Sequence, residues 1–188
     1  MDPARSEHFA GRYELLEQAG AGGMGVVWRA CDRQTGQLVA LKVLRADVRE
    51  VPTRFLREAA VLAELGHPAI VRYVDHGLTD AGEAYVAMEW LHGEGLDVRL
   101  GAGRLSVEET LTIASRVSGA LAAAHRRGIV HSDIKPANIF LPGGRADAAK
   151  LLDFGIARRI FETPKSKGGV VGTPYYMSPE QARGQRTI

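Results

Sequence analysis

Two aspartates, a lysine and an amide occur close together in His131-Ser132-Asp133-Ile134-Lys135-Pro136-Ala137-Asn138 and in the Asp153-Phe154-Gly155 that follows. Asp133 could accept the proton of an attacking hydroxyl. Lys135 could neutralise charge on a transferring phosphoryl group. Asn138 and Asp153 offer hard oxygens suited to Mg²⁺, which is commonly held by few protein ligands plus phosphates. Each residue taken alone is more often a polar loop residue than a catalyst. Their order and separation together point to phosphoryl chemistry.

Two upstream features belong with this set. Gly20-Ala21-Gly22-Gly23-Met24-Gly25 fits G-x-G-x-x-G, and Val27 extends it to G-x-G-x-x-G-x-V. Glycine lets backbone amides approach phosphate oxygens and tolerates positive φ. A plain hairpin turn accounts for such a cluster about as often. A dinucleotide site requires a helix after the glycines, whereas Val26-Val27-Trp28 continues as strand. Val39-Ala40-Leu41-Lys42 then sets one lysine in an apolar strand. Snorkelling to solvent is the bland explanation. Glu58 favours an ion pair instead, because a carboxylate beside Phe55, Ala59 and Leu62 points inward and is costly unless paired.

The elements that must hold these groups are readable from periodicity. Tyr13 to Ala19, then Val26-Val27-Trp28, reads as strand, glycine-rich turn, strand, and a turn at Gln34 to Gln37 leads into a third strand, Leu38 to Leu44. From Arg54, Phe55, Ala59, Leu62 and Leu65 recur at helical spacing until Gly66-His67-Pro68. Ile70 to Val74 and Ala84 to Trp90 predict two further strands, and His92-Gly93-Glu94-Gly95 reads as a linker and lobe boundary. Ser106 with Glu109 forms a capping box for a helix whose apolar stripe is Leu111, Ala114, Val117, Leu121 and Ala122, with Gly128 as its C-terminal cap. Short apolar runs follow at Ile129-Val130, Ile139 to Leu141 and Leu151-Leu152. Five strands with one helix, then mostly helix with short hairpins, predict an α+β, two-lobed architecture.

The chain has 188 residues, 45% hydrophobic and 24% charged, which suits one domain or two small lobes sharing a cleft. A net charge of +2 exerts no strong pull toward nucleic acid or anionic lipid. The single cysteine, Cys31, excludes an internal disulfide and agrees with a reducing compartment. Met1 to Gly11 lacks the apolar core of a secretory signal, and no apolar stretch reaches the length of a membrane span. The expectation is a soluble, cytoplasmic chain.

The motifs together resemble the catalytic domain of eukaryotic-like serine/threonine protein kinases of bacterial type, from Tyr13 to about Gly184. The resemblance implies a two-lobed kinase-like fold with residues 1–12 as a tail, 13–91 as the N-lobe and 92–188 as part of the helical C-lobe. It implies that Ala19, Gly20, Gly22, Gly23, Gly25 and Val27 cover the nucleotide. On the same resemblance Lys42 would pair with Glu58 and contact phosphate, Asp133 would be the base with Lys135 assisting it, and Asn138 and Asp153 would hold Mg²⁺. Met88 would be the gatekeeper, and the backbone of Glu89 and Leu91 would bind adenine between Val27, Ala40 and Phe140. Leu62, Tyr73, His131 and Phe154 would stack as a regulatory spine. Lys135 and the segment Gly172 to Glu180, with Thr173, are similar to Ser/Thr rather than Tyr kinases. The implied partners are ATP and protein substrates bearing Ser or Thr, with a kinase-domain dimer as an option.

Ser132 departs from the pattern, since most members of that family carry arginine before the catalytic aspartate. That arginine normally receives a loop phosphate. Activity is therefore expected not to depend on phosphorylation of Thr163 or Ser166, the only hydroxyl side chains between Asp153 and Gly172. Ending at Ile188, the chain is expected to be a piece of a longer protein, of low activity alone, whose full form could be membrane-anchored. A nucleotide-binding scaffold and a non-functional fragment are the competing readings. The presence of Lys42, Glu58, Asp133, Asn138 and Asp153 argues for chemistry.

Overall fold

The computed structural model describes residues 8–22, 25–44, 59–60, 62–154 and 174–183. The chain divides into two compact units, Met1–Gly66 with Val71–Leu91, and His67–Ile70 with His92–Ile188. The first unit is built on an antiparallel sheet of β1 (Tyr13–Gly22), β2 (Gly25–Asp32), β3 (Gln37–Leu44), β4 (Tyr73–Leu78) and β5 (Ala84–Glu89), in the order β1-β2-β3-β5-β4. Alternation with a period of two sends Ala30, Val39, Leu41, Val43, Tyr85 and Ala87 into one buried cluster with Phe9 and Tyr13. Phe9 and Tyr13 meet Tyr85 edge-on, with ring centroids 5.5 and 5.8 Å apart.

Two expectations for this unit need correction. The glycine cluster is not wholly turn. β1 continues through it, with Gly20 opposite Val27 and Gly22 opposite Gly25, and Ala19 falls at a register shift between Gln18 and Gly20. The strand expected over residues 70–74 instead runs Tyr73–Leu78. Asp75 and Gly77 are poor strand formers, but Gly77 pairs with Tyr85, and the Asp75 carboxylate is satisfied by Arg12 and Tyr13. Ile70 makes a parallel bridge to Leu151 within the second unit. Of the helix expected from Arg54, residues 59, 60, 62 and 63 are helical and Ala59, Leu62 and Leu65 are buried. Arg54 to Glu58 lie outside the described residues.

The second unit contains β6 (Gly93–Gly95), β7 (Ile139–Pro142) and β8 (Lys150–Leu151), with helices α1 (Leu96–Ala102), α2 (Val107–His125) and α3 (Pro179–Ala182). Residues 92–95, expected to be a linker, therefore supply a strand. Gly93 has φ +146° and a Cβ there would lie 2.2 Å from the Leu141 carbonyl oxygen, so the close β6–β7 pairing requires glycine.

The predicted capping box forms at α2: Ser106 Oγ accepts from Glu109 N–H (3.1 Å), and Glu109 returns a carboxylate to Ser106 N–H (2.8 Å). Gly128 takes the left-handed conformation expected of it, φ +69°. The apolar stripe is the part that differs. Ile113, Val117, Ala120 and Ala124 form the buried face, while Leu111, Ala114 and Ala122 are exposed. Spacings of four, three and four hold one helical face better than the set chosen from hydrophobicity alone. Arg116 fixes that face, donating to the Ala149 carbonyl (3.0 Å) and the Pro68 carbonyl (3.1 Å). No helix among the described residues is long and apolar enough to cross a membrane.

Candidate active site

In the first unit the sheet register collects several of the expected nucleotide residues on one face. Val27 lies opposite Lys42, and Ala40 opposite Met88. Directly opposed residues share a face, as do residues two apart along a strand. Val27, Ala40, Lys42 and Met88 are thus together, on the face opposite Val39, Leu41 and Val43 of the aromatic cluster. Lys42 is half-buried rather than extended fully into solvent. Glu89 follows Met88, donating its N–H to the Arg72 carbonyl (2.9 Å) and accepting from Arg72 N–H on its carboxylate (2.8 Å). Leu91 closes the first unit. Glu58, the expected partner of Lys42, and Gly23 lie outside the described residues.

The glycines divide into two kinds. At Gly25 φ is +150° and a Cβ would lie 2.2 Å from the Val43 carbonyl oxygen, so the β2–β3 pairing itself demands glycine. At Gly20 and Gly22 a Cβ would meet nothing within 4 Å. The fold does not account for those two glycines, whereas close approach of a ligand to the backbone would. Gly25→Ala should cost about 1–3 kcal/mol of stability. Gly20→Ala should change stability by no more than about 0.5 kcal/mol and weaken nucleotide binding instead. Chemical unfolding beside a nucleotide titration on the two variants checks this, and equal stability losses would refute the division.

The second unit holds the acidic cluster. His131 is buried, its Nε2–H donating to the Leu152 carbonyl (2.7 Å) and its Nδ1 accepting from Asp133 N–H (3.3 Å). Its ring lies 4.7 Å from that of Phe154. Burial pushes the imidazole below its ordinary pKa despite the neighbouring carboxylates, which agrees with a neutral, structural ring. Leu62 and Tyr73, the other expected spine residues, belong to the first unit.

Asp133 projects from this anchored turn. Its Oδ2 accepts from Lys135 Nζ (2.9 Å) and from the Asn138 side-chain amide (3.0 Å), and the same amide reaches the Asp133 carbonyl (2.7 Å). Burial works to raise the carboxyl, but the Lys135 ammonium and Asn138 amide outweigh it and hold it below the usual carboxylate range. The group is therefore ionised at neutral pH and able to accept a hydrogen bond from a hydroxyl.

Asn138 spends its nitrogen on Asp133, so its side-chain oxygen is the atom that could ligate a metal. β7 and β8 pair Ile139 with Leu151, and Leu152 N–H donates to the Asn138 carbonyl (2.8 Å). That hairpin brings Asn138 and Asp153 to the same end. No group of three or more His, Cys, Asp or Glu among the described residues forms a metal cage. One amide oxygen and one carboxylate instead fit Mg²⁺, which keeps water and phosphate in its remaining positions. Ser132 and Asp153 both have positive φ, 64° and 44°. Phe140 lies in β7, opposite Gly95 and Lys150.

Sequence reasoning missed two features of these units. One is the Arg12–Asp32–Asp75 network in the first. The other is Gln181, whose amide donates to the Ser132 carbonyl (2.9 Å). The Ser178-x-x-Gln181 spacing announces a capping box, but nothing local announces the tether. Thr163, Ser166, Gly172 and Thr173 lie outside the described residues.

A family model described as "Protein kinase domain" matches residues 13–187. A probable serine/threonine-protein kinase of Streptomyces coelicolor is 44% identical over 186 residues, covering 94% of this chain and 27% of the relative. The solved kinase domain of Mycobacterium tuberculosis PknI superposes with a TM-score of 0.71 at 36% identity, over 83% of this chain and 64% of that one. Rad53, solved in complex with AMP-PNP, gives a TM-score of 0.69 at 28% identity, over 78% of this chain and 39% of that one. The chain spans 22%, 27% and 44% of the lengths of three curated relatives.

Proposed function

The chain belongs to the protein kinase domain family, and from that premise we propose that it transfers the γ-phosphoryl group of ATP to serine and threonine hydroxyls of proteins. The observation that carries the reading is the joint hold of Lys135 and Asn138 on the Asp133 carboxylate. An ionised carboxylate fixed from two sides is suited to orient an acceptor hydroxyl and take its proton. The hydroxyl oxygen forms the new bond to the γ-phosphorus, the bond from that phosphorus to the β–γ bridging oxygen breaks, and ADP leaves with the electron pair. Lys135, beside Asp133, would steady the charge on the phosphoryl oxygens.

Nucleotide binding falls to the residues around β1–β3 and β5. Val27 and Ala40, sharing a face with Lys42 and Met88, would hold the adenine with Phe140, and Glu89 and Leu91 would meet its edge. Lys42 and Glu58 would form the pair that aims the ammonium at phosphate, under the cover of Ala19, Gly20, Gly22, Gly23 and Gly25. Asn138 and Asp153 would hold Mg²⁺, which when bound neutralises phosphate charge. Residues 13–91 and 92–188 correspond, on this reading, to an N-lobe and part of a C-lobe. The AMP-PNP complex of Rad53 supports a nucleotide site of this kind. The free thiol of Cys31 is compatible with a cytoplasmic setting.

The test measures ATP binding and phosphoryl transfer side by side, with one acceptor protein offering serine and threonine and another offering only tyrosine. Label on the first alone is the expected result. Binding of ATP without transfer to either acceptor would overturn the catalytic reading and leave a nucleotide-binding module.

A further inference from the structure

We propose that Gln181 is a positioning residue for the catalytic loop, holding the Ser132–Asp133 turn in place through the Ser132 carbonyl; this rests on the kinase reading above. Gln181 is the third residue of α3. Its Oε1 accepts from Ser178 N–H (3.0 Å), and its own N–H is accepted by Ser178 Oγ (3.3 Å). That reciprocal pair fixes the plane of the side-chain amide. The remaining end of the amide, Nε2, donates to the Ser132 carbonyl at 2.9 Å, across 49 residues of sequence. One side chain thus closes a helix cap and reaches the backbone next to Asp133.

The chemistry of the position explains why glutamine stands there. Glutamate satisfies a capping box equally well and suits the positive end of a helix. It has no donor, however, and cannot hydrogen-bond a carbonyl. Of the two side chains that complete a capping box, only the glutamine amide can accept on one side and donate on the other. The recipient also needs holding. Ser132 has φ +64°, a conformation that serine adopts at a cost and that persists only where neighbours enforce it. On one side of the turn His131 Nδ1 accepts the Asp133 N–H, and on the other Gln181 takes the Ser132 carbonyl. Together they determine the peptide from which the Asp133 carboxylate projects.

Gln181→Glu separates the tether from the cap, because it keeps the acceptor and removes the donor. Ser178→Ala does the converse, removing the hydroxyl while leaving Nε2 on Ser132. Amide hydrogen exchange of the peptide spanning residues 129–140, measured on the whole chain without nucleotide, should accelerate about tenfold in Gln181→Glu and less in Ser178→Ala. In transfer assays Gln181→Glu should lower kcat about tenfold, the rate equivalent of one lost hydrogen bond, with KM for ATP unchanged. Unchanged exchange in Gln181→Glu, equal acceleration in the two variants, or an unaltered kcat would overturn the proposal. Absence of any transfer by the wild type would sink the kinase reading, while the exchange measurement would still decide the tether.

Discussion

Asp133→Asn is expected to lower turnover by about 10²–10⁴-fold, the range that a positioned general base supplies. The substitution keeps shape and an acceptor oxygen, so the contacts of Asn138 to the Asp133 carbonyl and side chain survive in outline. What it removes is the negative charge opposite Lys135, 2.9 Å away, and the site to which an acceptor proton can move. Because Lys135 and Asn138 hold the native carboxyl below the usual range, the wild-type rate should show no acid limb from this group near neutrality. A depressed carboxyl contributes stability above its unfolded pKa and loses it only as pH falls toward the folded value. Steady-state transfer rates with a thermal melt of the same preparations check the claim. A folded variant turning over near the wild-type rate would remove Asp133 from the reaction.

Legible in the sequence is what neighbouring residues encode. Asp133, Lys135 and Asn138 stand close together along the chain, so spacing alone announces that they meet, and Ser106 with Glu109 signals a helix start three residues apart. Misreadings arose where tertiary partners decide. Asp75-His76-Gly77 looks like loop until Arg12 and Tyr13 satisfy its carboxylate. Gly93-Glu94-Gly95 looks like linker until β7 pairs with it. α1 follows Gly95 without any side-chain cap, so no local signal marked its start. The phase of α2 is not legible locally because alanine occurs on both faces, and only packing distinguishes buried Ala120 and Ala124 from exposed Ala114 and Ala122. In the site, Gln181 and Ser132 are joined by geometry alone.

Arg12→Ala is expected to destabilise the first unit by about 3–5 kcal/mol, the cost of stripping one partner from a buried ion pair. Asp32 is fully buried and accepts from Arg12 Nε (2.8 Å) and Nη2 (2.7 Å), with Gln34 N–H (3.0 Å) and Thr35 Oγ1–H (2.9 Å) completing its shell. Arg12 Nη1 also reaches Asp75 (2.8 Å), which accepts from the Tyr13 hydroxyl at 2.9 Å. One guanidinium therefore joins the start of β1 to the end of β2 and to β4. Its hydrogen bonds hold the Asp32 carboxyl far below the usual range against the opposing effect of burial.

The sign of the pH effect follows from that depression. The pair stabilises above the unfolded carboxyl pKa, about 4, and its contribution fades as pH falls below that value. The gap between wild type and Arg12→Ala should accordingly be widest near neutrality and narrow in acid. Asp32→Asn in the Arg12→Ala background should recover part of the loss, since a neutral amide no longer leaves a buried charge without its cation. Trp28 and Trp90 are the chain's 2 tryptophans and both lie in this unit, so fluorescence-detected unfolding reports on it alone. A loss below about 1 kcal/mol, the value of an exposed pair, or a gap that fails to narrow in acid would show that the network is not what ties these strands together.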